Sequence, residues 1–404
     1  MTLYDVGFWS KLIPENTVLF TAAGFDLATR FNGVFDIVQE FDEYEHSDEP
    51  IQAAIKLHGE AAFKHIISVS EMDVERASYL RCRLGIEGMP LNDALAFRDK
   101  VLMKTLASQQ GLRVPQFKAL RFASDLSSFT EKHGFPVVLK PKDGKGSLDV
   151  RVLRTEEETF QVLEASKACP LGDRWQIEEF VEGTMYRVDG LVLEEAIDLI
   201  HIGRYTDSTL SFIAGKPIAT LEVPKSESVV AKIAAFTRTL IECALPTPKN
   251  SLFHLQVFED HRGDIVLCEV GCRLGGGAIC DEVFYSTGVN ILARYLAAEL
   301  DCPEPPGLER MSDRLTGRMI VPSRGGLLKE VSSNCPIEGV QQYRVNGRKG
   351  CRYPPSVMTN AEMQSIIFTA QSYDELQSKY QELCEWVRAT TVWEQDQKIM
   401  AAFV

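Results

Sequence analysis

Long apolar runs are missing from this chain. Nowhere do eighteen consecutive apolar residues occur, so no transmembrane helix is expected. The opening segment MTLYDVGFWSKLIPEN also lacks the charged-then-apolar pattern of a secretory signal. Positive charge is in deficit: 43 Lys and Arg stand against 57 Asp and Glu, a net −14. The deficit is spread along the chain, and no basic face is left for nucleic acid. The ten cysteines follow no framework spacing. Contexts such as LIECAL and IVLCEV point to buried, reduced thiols in a cytosolic protein. Cys268, Cys272 and Cys280 cluster, but without a matching second pair they are a poor zinc signature. Internal repeats and low-complexity segments are absent.

What remains is an ordinary globular composition, 45% apolar and 25% charged over 404 residues. That length allows roughly two or three domains and a large core. TVLFTAAG (17–24) is a short apolar run ending in glycine, followed by the helical FDLATRF, and HIISVSE (65–71) reads as a second strand before another helix. These predict an N-terminal α/β domain over 1–95, although its first turn carries no G-x-G-x-x-G phosphate fingerprint. From Leu95 the texture changes. FRDKVLMKTLASQQG is an amphipathic helix stopped by Gly111. FPVVLKPKDGKGSLDVRVL then reads as strand, glycine loop, strand, and RWQIEEFVEGTMYRVDGLVL as two strands around Gly183. LFHLQVFEDHRGDIVLCEV is two apolar runs around a turn, and CPEPPG looks like a linker. The C-terminal part has short strands and a long helix whose stripe Tyr373, Leu376, Tyr380 and Leu383 reads as core.

The stretch VLCEVGCRLGGGAICDE carries chemistry. Pairing FHLQVFE with IVLCEVG around the turn at 261–264 sets Gln256 opposite Glu269 and His254 opposite Gly271, all on one sheet face. Taken alone, Gln and Glu on a solvated face need no explanation. Upstream, however, Lys140 ends an apolar strand, where lysine is seldom buried without a partner. Gly144, Gly146 and Ser147 follow in a loop whose backbone N–H groups can fold over phosphates.

In this order the pieces resemble an ATP-grasp domain preceded by its usual α/β domain. The likeness runs through HIISVSEMDVERASYLRCRLGIEG, RDK, FPVVLKP, IEEFVEG and FHLQVF…VLCEVGCRLGGG, and is most like the carboxylate–amine ligases of the L-amino-acid ligase group. The implied fold is α/β and α+β: a Rossmann-like pre-ATP-grasp domain (1–95), an ATP-grasp domain (96–304, halves at about 96–182 and 183–304) and a C-terminal α+β domain (305–404). By the same resemblance, Lys100 and Lys140 match the lysines that contact ATP phosphates, and Lys142 to Ser147 the flap over the triphosphate. Glu178, Glu179 and Val181 match the hinge that recognises adenine. Glu269 and Gln256 match the positions that bind Mg2+, with Mn2+ able to substitute. Arg273 matches the arginine that stabilises the transferring phosphoryl group, with Lys140 its partner in catalysis. Gly275, Gly276 and Gly277 match the loop that receives substrate. Among His201, His254 and His261, only His254 is placed near the site.

Three departures stand out. The first metal position is Gln256 instead of Glu, Gly271 replaces a common asparagine, and Met185 replaces the acid that usually holds the ribose, leaving Glu182 as a displaced candidate. The reaction implied is activation of a carboxylate, from an amino acid, as an acyl phosphate by ATP, then attack by an amine. Arginine and lysines would spread the phosphoryl charge. Three glycines would let backbone N–H groups come close. The implied partners are small-molecule substrates and a second copy in a homodimer, in the cytoplasm. Two alternatives stand beside this: a biotin-carboxylase-like subunit, and a degenerate ATP-grasp protein that binds nucleotide without ligase activity. Arg318, Arg324, Arg344 and Arg348 could bind an anionic substrate from the C-terminal domain, but most are read as solvated surface.

Overall fold

The computed structural model describes residues 9, 12–24, 27–166, 172–303 and 314–394. At the N-terminal end, β1 (Val18–Ala22) and β2 (Ile37–Phe41) pair in parallel, with Val18 opposite Ile37 and Ala22 opposite Phe41. Helices Glu49–Glu60 and Asp73–Leu84 follow. The strand expected at 65–71 is not one. Its chain pairs with no strand of the described residues, and the Ile66 carbonyl accepts instead from the Arg81 guanidinium (Nε to O 2.8 Å). Ile67 and Val69 still bury their side chains, against the cluster that includes Val283, Leu292 and Tyr295.

The next unit is a four-stranded sheet in the order β3 (Phe117–Ala119), β6 (Trp175–Glu179), β4 (Val137–Pro141), β5 (Arg151–Leu153). Alternation along β4 decides its faces. Val137 and Leu139 enter the core with Leu126, Phe129 and Ile177. Val138 and Lys140 face the opposite way, into a cleft.

The floor of that cleft is a larger antiparallel sheet. It runs β11 (Ile265–Gly271), β10 (Ser251–Asp260), β7 (Gly183–Leu193), β8 (Ala196–Tyr205), β9 (Ile218–Glu222), β12 (Leu315–Pro322), β16 (Glu362–Ala370), β14 (Val340–Val345). The sheet crosses the division expected at 304/305, since Gly317 of β12 pairs with Leu221 of β9. The CPEPPG linker falls largely outside the described residues. A small sheet of β13 (Arg324–Glu330), β15 (Arg352–Pro355) and β17 (Val392–Glu394) lies beyond. The C-terminal helix Tyr373–Thr390 buries Leu376 and Leu383 against β12 and β16, with Tyr373 and Tyr380 at the margin, as its stripe predicts.

The β10–β11 hairpin has the expected inner register, Gln256 opposite Glu269 and His254 opposite Gly271. Past Gln256 the register slips, so that Val257 pairs with Leu267 and Cys268 becomes the extra residue of a bulge. The Cys268 carbonyl, out of step with the ladder, accepts from Lys104 Nζ at 3.0 Å.

Candidate functional site

Between the two sheets lies a cleft of about 540 Å³. Its apolar walls are Val138, Val150 and Val152 on one side and Met185, Phe258 and Leu267 on the other, and the segment Glu179–Met185 closes one end. The Glu179 amide donates to the Gln116 carbonyl at 2.8 Å, and the Gln116 amide donates to the Glu179 carboxylate at 3.2 Å. Glu182 and Met185 both border the cleft. A flat apolar slot capped by polar backbone is suited to a nucleobase.

The other end is charged. Asp99 caps helix Lys100–Gln109, accepting from the amides of Val101 and Leu102 at 2.8 and 3.1 Å. This cap fixes Lys100 on the first turn. Lys100 Nζ donates to the Gly144 carbonyl at 2.6 Å and stands 3.2 Å from Glu269 Oε2. Lys140 Nζ lies 2.6 Å from Glu178 Oε1, and Lys104 Nζ 3.0 Å from Glu178 Oε2. Burial would raise the Glu178 carboxyl, but two ammonium groups overcome it and hold the acid ionised. Burial pulls Lys140 down, yet the carboxylates of Glu178 and Glu269 raise it well above an ordinary lysine. Lys104, fully enclosed and repelled by Lys140, is lowered by burial that Glu178 offsets only in part. Glu178 is thus the counter-ion of two lysines at the charged end, and Glu179 and Val181 of the expected hinge border the cleft as well.

Gln256 and Glu269 both border the cleft. The Gln256 amide donates to the Tyr205 hydroxyl at 2.9 Å. Burial favours a neutral Glu269, but Lys100 and Lys140 keep it ionised and below its usual range. Arg273 lies beside this end through Glu71: its Nε is 2.5 Å from Glu71 Oε2, and Nη1 donates to the Leu274 carbonyl at 2.8 Å. Arg98 holds the other Glu71 oxygen. Burial opposes the Glu71 charge, and the two guanidiniums outweigh it, setting the carboxyl at about 2.

Part of the flap is where the resemblance implied. Gly144, Lys145 and Ser147 line the cleft. Gly146 instead packs against the segment Met358–Asn360, and its carbonyl accepts from the Thr359 amide at 3.0 Å. Lys142 is turned aside, its ammonium 3.5 Å from Asp99 and 3.4 Å from Asp173. Ser147 donates to the Thr209 hydroxyl at 3.0 Å.

The glycine loop borders a second, buried polar cluster. A Cβ on Gly275 would stand 2.4 Å from Asp189 Oδ1, and one on Gly277 (φ +63°) 2.2 Å from Arg318 Nη2, whereas Gly276 has open space. His254 Nδ1 meets Asp189 Oδ1 at 2.7 Å. Arg187 pairs with Asp189 at 3.0 Å and with Glu282 at 2.7 Å. Burial works against the Asp189 charge, but Arg187 and His254 hold its carboxyl at about 2. Arg318 is buried, contrary to the surface reading, and Arg344 is bound to Asp281; Arg324 and Arg348 are exposed.

Lys104, Glu71, Arg98 and Tyr205 did not figure among the expected site residues. Glu71 ends the apolar run HIISVSE, a position as telling as that of Lys140. Lys104 follows Lys100 by one helical turn, on the same face.

No family model matches the chain. The L-arginine-specific L-amino acid ligase of Bacillus subtilis is 23% identical over 328 residues, covering 78% of this chain and 77% of that protein. The crystal structure of an L-amino acid ligase from Bacillus licheniformis superposes with a TM-score of 0.74 at 17% identity, over 94% of this chain and 99% of the other. The N5-carboxyaminoimidazole ribonucleotide synthetase of Thermotoga maritima gives 0.67 at 16% identity, over 96% and 95%. The chain thus has an ATP-grasp fold and is similar over most of its length to L-amino acid ligases.

Proposed function

We propose that the chain uses ATP to convert the carboxylate of an amino acid into an acyl phosphate and joins it to the amine of a second molecule, releasing ADP and phosphate. One observation carries this reading: Lys100, Lys140 and Glu269 converge on a single cleft whose far end is apolar and closed by Glu179–Met185. In it, adenine takes the apolar end while Lys100, Lys140 and the amides of Gly144 to Ser147 meet the phosphates. Arg273 supports the phosphoryl group in transfer, and Gly275 to Gly277 admit the acyl group.

Gln256 and Glu269 offer one neutral and one anionic oxygen donor side by side. This set fits Mg2+, which is usually held by one or two carboxylates together with substrate phosphates. Among the described residues no group of three His, Cys, Asp or Glu could hold a metal alone. The pair therefore suits an ion delivered with nucleotide. Bound there, Mg2+ would supply positive charge to the phosphoryl oxygens.

Lys100 and Lys140 let two anions approach one another. The flap and the apolar walls exclude water, which would hydrolyse the acyl phosphate. The biotin-carboxylase-like alternative fits less well; a 2-oxoglutarate carboxylase biotin carboxylase domain superposes with a TM-score of 0.63. A cytoplasmic homodimer acting on two small molecules completes the reading. The test is phosphate release from ATP across a matrix of amino-acid pairs, with mass spectrometry of the products. Nucleotide binding with no phosphate released from any pair would leave only the nucleotide-binding alternative.

A further inference from the structure

Resting on that reading, we infer that Arg318 and Glu362 recognise the amine substrate as a zwitterion, Arg318 taking its α-carboxylate and Glu362 its α-ammonium group. The two come from β12 and β16, beyond the cleft, and meet with Arg318 Nη2 3.2 Å from Glu362 Oε1. Each is at least nine-tenths buried. Each also keeps one atom without a hydrogen-bond partner: Arg318 Nε and Glu362 Oε2. A buried guanidinium N–H and a buried carboxylate oxygen left unmatched are costly unless something fills them. The unmatched pair is one donor on a cation beside one acceptor on an anion, which is the complement of an α-amino acid.

Location supplies the second observation. The pair presses on the loop proposed to admit the acyl group: a Cβ on Gly277 would stand 2.6 Å from Glu362 Oε1 and 2.2 Å from Arg318 Nη2. Only a residue without a Cβ lets the loop backbone come this close to the two charges. The neighbouring buried charges are accounted for otherwise. Arg187 is spent on Asp189 and Glu282, and His254 on Asp189. Arg187 and Asp189 also keep buried atoms without hydrogen-bond partners, of which Arg187 Nη1 and Asp189 Oδ2 face one another at 3.0 Å. An acceptor that brings a carboxylate and an ammonium would complete both at once. A plain amine would leave the Arg318 N–H unmatched.

The experiment compares acceptors in the intact enzyme, with ATP, Mg2+ and a fixed activatable acid. For each acid that supports phosphate release, kcat/KM is measured for an amino-acid acceptor, its α-amide and hydroxylamine, the last trapped as the acyl hydroxamate. The wild type is expected to favour the free amino acid over its amide about 10- to 100-fold, the range for one charged hydrogen bond. Arg318→Met is expected to collapse that ratio towards one, and Arg318→Lys to restore part of it. Glu362→Gln is expected to raise the KM for the amino acid more than for hydroxylamine. Equal use of amino acid and amide by the wild type, which needs no variant, overturns the inference. So does an unchanged ratio in a folded Arg318 variant. Absence of hydroxamate with every acid would instead remove the ligase reading beneath it.

Discussion

Glu178 is the most exacting test of how the charged end of the cleft is held. It is one carboxylate shared by two ammonium groups, Lys140 at 2.6 Å and Lys104 at 3.0 Å, with Lys104 fully enclosed. At an effective dielectric near 20, each contact at this range is worth about 5 kcal/mol of Coulomb energy. Desolvation of all three groups offsets most of that. The cost of removing one partner from a buried pair, about 3–5 kcal/mol, is the better guide. Glu178→Gln keeps the shape and one acceptor but no charge, so the lower end applies, about 3 kcal/mol. Against a total stability of about 5–15 kcal/mol this is a large share. Urea unfolding is expected to show a lower midpoint with an unchanged slope. A second readout is specific to the charge. Without Glu178, burial would lower Lys140, so the variant is expected to lose ATP affinity at alkaline pH where the wild type keeps it. A variant within about 0.5 kcal/mol of wild type, the spread of an inert surface substitution, would refute the counter-ion role.

Other expectations follow from the same geometry. Arg273→Ala and Glu269→Ala are each expected to lower turnover about 100- to 1000-fold, the range for one lost electrostatic donor in a water-excluded site; near-normal steady-state rates would remove that residue from the chemistry. Gln256→Glu is expected to tighten the Mg2+ dependence of phosphate release or leave it unchanged, and abolished activity would show that the amide, bonded to Tyr205, has another task. Glu71 has a depressed carboxyl, about 2 against 4.5, so its contribution to stability is present above pH 4.5 and is lost as pH falls towards 2. The stability gap between wild type and Glu71→Gln, followed by urea unfolding, should be flat above about pH 5 and close across that window; a gap independent of pH would mean that the ion pairs contribute nothing.

The hairpin was legible because two local signals agreed: alternation along both runs, and a turn at 261–264 that pins the register. The bulge at Cys268 was not, since what accepts its misplaced carbonyl is Lys104, 164 residues away in sequence. Lys140 could be read from a lysine at the end of an apolar strand, but its partner could not. IEEFV by itself does not say which carboxylate turns to the buried lysines. Strand alternation decides it: Ile177 is in the core and Glu178 faces the cleft with Lys140. The expected strand at 65–71 failed for the opposite reason. An apolar run predicts burial, and burial occurred, but pairing depends on whether another backbone is free to receive it, and here the Ile66 carbonyl accepts from Arg81 instead. Arg318 was misjudged because β12 is buried on both faces, a property of the sheet it joins.

Of the cations at the charged end, Lys140, Lys100 and Arg273 each hold a carboxylate, and these three pairs differ in exposure. Lys140–Glu178 lies deepest, with both side chains 7% exposed; Glu71 beside Arg273 is 15% exposed, and Glu269 beside Lys100 is 28%. Separating the deepest pair would strand a buried charge, so Lys140 can offer phosphate only the donors that Glu178 leaves. Lys100 is as buried as Lys140, at 7%, but its partner Glu269 is the more exposed carboxylate, so a phosphate reaching Lys100 would leave Glu269 able to meet solvent. On the proposed reading, such a move of Lys100 would uncover the Glu269 carboxylate beside Gln256 as nucleotide arrives, when phosphate oxygens could complete a donor set too small to hold a divalent ion alone. Paired with Lys100, Glu269 is held ionised against the burial that would neutralise it. On that reading, the cleft is expected to resist a bare divalent ion and to favour one that enters with its nucleotide.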